Sequence, residues 1–176
     1  MSATFAFAED NGAAAGSPAK GTTRTNPVTD VNWKNADDTT TAFTAAPITA
    51  GNNSFEKFIF GVFSGTFTTI LSGLFAHTSG ALEANTSLKG NVSSTYTTPS
   101  TATNGSLTTD MTAAISIGSG QAVLFGATGP EAAGKATSTT SNPGYTQYLI
   151  TQVLSTVSAV AGNVTGIVLT LQYQEN

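Results

Sequence analysis

The chain contains no cysteine, and among its 176 residues there is one histidine and one tryptophan. Without cysteine no disulfide can staple the fold, which points to a chain that folds on its own core in a reducing cytoplasm. The lone histidine and absent cysteine also remove every zinc ligand set built from those residues. Charge is scarce: 9% of residues are charged, against about 25% in an ordinary domain. The six lysines and arginines are scattered and the net charge is −4, so no basic stripe exists to neutralise phosphates and nucleic acid is not an expected partner. No apolar run approaches the roughly 20 residues of a membrane helix, so no membrane partner is expected either. The first ten residues carry neither the basic region nor the apolar run of a signal peptide, and the product is expected to remain soluble and unprocessed.

What is abundant is small and hydroxylic. Thr (32), Ser (17), Ala (25) and Gly (18) make up just over half of the chain. Hydroxyls cost less than charges to cover with another protein, and surfaces that become interfaces are depleted in Lys and Glu. This composition suits a surface that ends up covered. The length fits one domain with a core of its own.

Along the chain, residues 1–47 differ from the remainder. Eight of the sixteen charged residues fall in the first 38 positions, and Gly12, Pro18 and Pro27 disfavour regular elements. This predicts an extended N-terminal arm (1–47) followed by an antiparallel β-sandwich domain (48–176), of jelly-roll or Ig-like type. The arm's aromatic residues, Phe5, Phe7, Trp33 and Phe43, would be exposed on a free arm, so they are the candidate protein-interaction residues. Phe5 and Phe7 also share one side of an extended segment, which a strand of the sandwich would use.

Strand patterning begins at Phe55. From Phe55 to Phe67 bulky residues occupy both alternation sets, as in a strand covered on both faces, with Gly61 and Gly65 marking a bulge or a close backbone approach. Further strands are expected at 71–77, 82–92, 111–117, 121–125, 145–154 and 166–174. In the last, Ile167, Leu169, Leu171 and Tyr173 alternate with Val168, Thr170, Gln172 and Gln174, giving one core face and one polar face. Turn chemistry at 78–80, 104–105, 118–120, 129–130, 142–144 and 161–163 separates the runs, and a short helical turn could occupy 131–135.

Candidate chemistry is thin. His77 precedes Thr78-Ser79-Gly80 and no Gly-x-Ser-x-Gly nucleophile turn accompanies it, so it reads as a turn residue. Residues 129–136 approach a phosphate-binding loop, but Ala136 stands where a hydroxyl should meet magnesium. Asp30, Asn32, Asp37 and Asp38 match no calcium loop and read as a solvated patch. Glu83, Asp110 and Glu131 are too dispersed to pair as a glycosidase acid and base. No catalytic residue, cofactor or metal is expected, and the chain is read as a non-enzyme.

The Phe-rich run 55–67, the segment Tyr145 to Gln152 and the terminal Leu169 to Asn176 resemble small virion proteins encoded among tailed-bacteriophage structural genes. That resemblance covers about the last 120 residues. It implies a capsid decoration (cement) or minor capsid protein, located on the capsid surface of a virion assembled in the host cytoplasm. Its partners would be the major capsid protein and copies of itself, as a dimer or trimer. Alternatives are a tail or fibre subunit, a pilin-like adhesin, whose terminal strand Leu169 to Gln174 would resemble, or a carbohydrate-binding module contacting a surface glycan through Trp33, Tyr96 or Tyr145. Because residues 129–136 lack the magnesium-binding hydroxyl, titration calorimetry with ATP is expected to show no saturable heat. Binding that disappears on Lys135→Ala would contradict this.

Overall fold

The computed structural model describes residues 3–65, 70–111, 116–117, 144–160 and 165–175. These residues form ten strands and, among them, no helix: β1 (Ala3–Ala15), β2 (Lys20–Thr25), β3 (Lys57–Gly65), β4 (Ile70–Ala81), β5 (Thr86–Ser93), β6 (Thr109–Asp110), β7 (Ser116–Ile117), β8 (Gly144–Tyr145), β9 (Tyr148–Ser155) and β10 (Thr165–Glu175). Seven make one antiparallel sheet in the order β2-β1-β3-β9-β5-β6, with β8 also paired to β3; the order β10-β4-β7 makes a second.

β3 is the spine of the larger sheet. Its residues Lys57 to Phe63 are all buried, as the double apolar pattern predicts, and the two faces lead to two cores. On the front face Phe63 joins Leu88, Met111, Leu149 and Val153, together with Leu171 of β10. On the back face Phe58, Phe60 and Val62 join Ala8, Tyr148 and Ile150 under Tyr96 and Leu107. Gly61 fits because the backbone must let neighbours in. A Cβ there would stand 2.7 Å from the Phe5 ring and 3.2 Å from the Leu171 side chain. Gly65 at the strand's end has φ +93°.

The segment expected to be an arm is instead part of this sheet over residues 3–25. β1 pairs with β3 at eight consecutive positions, from Ala3 opposite Gly65 to Asp10 opposite Phe58, and β2 returns along its other side. Phe5 and Phe7 do share one side, where Phe5 packs against Phe63 with ring centroids 5.2 Å apart. The breakers that suggested an arm lie where the hairpin needs them. Gly12 has φ +85°, and the β1–β2 register slips between Asn11 and Ala14, a bulge of the kind glycine permits.

The remaining expectations divide. β10 spans the alternating run, with Leu171 buried and Val168 exposed, and its register to β4 shifts between Val168 and Leu169. The turn expected at 78–80 is absent: β4 continues to Ala81, pairing Ser79 with Val168 and His77 with Leu169, so His77 is a strand residue and the break falls at 82–85. Pairing to β10 overrides the local preference of Ser and Gly for a turn. The run expected at 121–125, the helical turn at 131–135 and the loop 129–136 lie outside the described residues.

Because β1 supplies an inner strand, deleting residues 2–25 should remove a row of ladder hydrogen bonds together with Phe5, Phe7 and Ala8. The truncated chain is expected to be insoluble or to lose its cooperative thermal transition in circular dichroism. A resistant body with an unchanged transition would show that β1 is dispensable.

Candidate interaction surface

Polar residues on β1 fix the geometry of everything around them. Glu9 and Lys57 are both buried and meet on the front face, Lys57 Nζ donating to Glu9 Oε1 at 3.0 Å and to the backbone oxygen of Asp38 at 3.1 Å. Asn11 Nδ2 donates to the same Glu9 oxygen (2.7 Å) and to Asp37 Oδ1 (3.1 Å). Glu9 Oε2 and Asn11 Oδ1 are buried and accept no hydrogen bond from the protein, which raises the demand on the bonds that are made. Lys34, fully buried, donates to Asp38 Oδ1 and to the Thr41 carbonyl. Asp38 in turn accepts from the Thr40 and Thr41 amides. The Thr41 amide above all, with the Thr41 hydroxyl and Lys34, holds the Asp38 carboxyl well below the usual carboxylate range.

On the back face Asp10 accepts from Arg24 Nε (2.7 Å) and Nη2 (3.0 Å), a bidentate pair, and from the Tyr148 hydroxyl at 2.6 Å. Arg24 lies over the Phe60 ring, 4.8 Å from its centroid. Burial, then the bond to Asp10, pushes the Tyr148 phenol well above its ordinary value, and burial does the same for Tyr96. Both hydroxyls therefore stay protonated and act as donors. Tyr96 donates to the Gly12 carbonyl (2.7 Å) while the Gly12 amide donates to Asp37 Oδ2 (2.8 Å). The bulge thus offers a backbone group to each of two loops, one per face.

These anchors pin the segment 28–50 against the sheet. Val28 N donates to the Phe7 carbonyl, Phe55 N to the Lys34 carbonyl and Asn35 N to the Ala46 carbonyl. Trp33 Nε1 donates to Thr151 Oγ1 on β9 at 3.0 Å, which fixes the indole plane. Between this segment and β10 runs a groove of about 1130 Å³, lined by Phe7, Trp33, Phe43 and Ile48 on one side, Ile167 and Leu169 on the other, with Ile59 and Val153 beneath. Phe43 (47% exposed), Val160 (65%) and Val168 (48%) line it as well. Three of the four aromatic residues singled out in the sequence therefore converge on one groove. Phe5 does not line it; it stacks edge-to-face on Phe7 at 4.8 Å.

The other candidates do not converge. Tyr96 is buried on the back face among Phe58 and Tyr148 and Tyr145 lies beside Arg24, so neither shares a surface with Trp33. Asp37 bonds to β1 and Asp38 to Lys34, Asp38 remaining 37% exposed, while Asp30 lines the groove. Among the described residues no group of three His, Cys, Asp or Glu side chains could hold a metal, and no helix is long and apolar enough to cross a membrane. Sequence reasoning missed the β10 wall. Its one signal is Val168, an apolar residue on the otherwise polar set of an alternating strand.

Removing Glu9 leaves the Lys57 ammonium buried against a single carbonyl. Glu9→Ala is expected to cost about 3–5 kcal/mol in urea unfolding, whereas the double change Glu9→Leu, Lys57→Met should recover most of it. An unaltered midpoint in the single variant would show that the pair contributes nothing. A comparison of the chain with protein families, curated proteins and solved structures finds no match, so the functional reading rests on these residues themselves.

Proposed function

We propose that this chain is a structural protein that works by binding other protein subunits, as a decoration or minor capsid protein on the outer surface of a tailed-bacteriophage head. The observation that carries the reading is the groove between segment 28–50 and β10, rimmed by exposed Phe43, Val160 and Val168. Clustered apolar side chains at a rigid rim are what a protein interface uses. Its partners are the major capsid protein and further copies of itself. In the finer fold reading, the two sheets are the layers of a jelly-roll or Ig-like sandwich, supported by the packing of Leu171 from β10 against Phe63, Leu149 and Val153 of the larger sheet.

Attachment on this reading falls to the groove and not to a free arm, because β1 and β2 are engaged in the sheet. Many copies on a repeating lattice multiply a modest affinity, so one small contact per copy suffices. A non-catalytic role is supported by the buried carboxylates: Glu9 and Asp10 bond to cations, and Glu56 accepts from Asn104 and the Ser100 amide.

Particles purified on density gradients from cells carrying the gene should contain the chain in fixed proportion to the shell subunit. The double variant Phe43→Asp, Val168→Asp should fold, as judged by circular dichroism, yet be lost from particles. Particles devoid of the wild-type chain would overturn the reading.

A further inference from the structure

The groove carries more information than its apolarity. Among the described residues its lining includes two carboxylates, Asp30 and Glu83, and no lysine, arginine or histidine. Both carboxylates are exposed, and among the described residues neither takes part in an ion pair. In a chain that pairs Glu9, Asp10, Asp38 and Asp110 with cations, two unpaired carboxylates beside one apolar trough form a charge pattern that calls for a complement. The volume, about 1130 Å³, exceeds the roughly 300–1000 Å³ of small-molecule pockets and suits a stretch of polypeptide.

We propose that the groove is the docking site for an apolar segment of a different protein, flanked by lysine or arginine. The apolar side chains of that segment lie against Phe43, Val160, Val168 and Trp33, and its cations meet Asp30 and Glu83 at the margin. A second copy of this chain is a poor source of such a segment. Of its six cationic side chains, Arg24, Lys34, Lys57 and Lys89 are already paired with Asp10, Asp38, Glu9 and Asp110. This inference rests on the proposed binding role and gives the partner's contact its chemistry: apolar contact supplies affinity, while the rim carboxylates supply orientation and partner choice.

Trp33 is the only tryptophan and lines the groove, so its emission reports occupancy directly. The probes are two capped peptides with alternating valine and threonine, one ending in lysine at both termini and the other in glutamate. The lysine peptide should shift Trp33 emission saturably and bind at least about tenfold more tightly than its glutamate twin at low salt, with the gap closing at high salt. Asp30→Asn with Glu83→Gln, exposed changes that leave the fold intact, should abolish the difference between peptides, and Phe43→Asp should weaken both. Equal binding of the two peptides, or no emission change with either, overturns the proposal. Particle fractionation of the Asp30→Asn, Glu83→Gln variant separates this failure from that of the wider reading. Full retention on particles that also hold the wild-type chain refutes the groove chemistry alone, whereas charge-selective peptide binding by a chain absent from particles supports the groove and refutes only the virion role.

Discussion

An ammonium group with no access to water must be answered by oxygen atoms, and Lys57, the first residue of the buried run of β3, imposes that demand on the chain. Glu9 answers it from β1 and the Asp38 carbonyl from the loop beyond. A buried pair of this kind is a weak source of net stability, but it is intolerant of partial assembly, because either partner alone is a buried unpaired charge. The pair therefore acts as a register device. β1 can slip neither by one residue, which would turn Glu9 to the back face, nor by two, which would separate it from Lys57. Once β1 is in register, Asp10 falls beside Arg24 and Tyr148, the Gly12 bulge meets Asp37 and Tyr96, and segment 28–50 has one place to lie.

How much of this could be read in advance varied with the range of the interaction. β3 and β10 were legible because their evidence is local: bulky residues on both alternation sets in one, strict alternation in the other. The residues Glu9-Asp10-Asn11 were not. Three polar residues in a row look like surface, and the partners that make them interior, Lys57 and Tyr148, are 48 and 138 positions distant from Glu9 and Asp10. For the same reason Trp33 and Phe43 could be picked out as apolar residues needing cover, while the β10 wall that faces them could not. Thr78-Ser79-Gly80 failed in the opposite way, with a local turn preference that a partner strand overrode.

The location of charge also changes the meaning of the composition. Glu9, Asp10, Lys34, Glu56 and Lys57 are all buried, so the exterior is poorer in charge than the bulk figure of 9% suggests. Such a surface generates little long-range field, and its associations depend on shape and short-range contact. Against so quiet a background, two carboxylates at one groove stand out more than they would on an ordinary protein.

The sheet order has a consequence for how the chain comes together. β9, from residues 148–155, lies between β3 and β5, so strands β1, β2 and β3 and strands β5 and β6 join one sheet only through a strand that follows all five in the chain. Until β9 emerges, β3 shows an open edge and the aromatic faces of Phe58 and Phe60 lack Tyr148. Such non-local closure is slow, because loop entropy is lost before the contacts that compensate it exist. Closure of this sheet on the ribosome therefore waits for β9, and until then the apolar spine is exposed to aggregation or to chaperones.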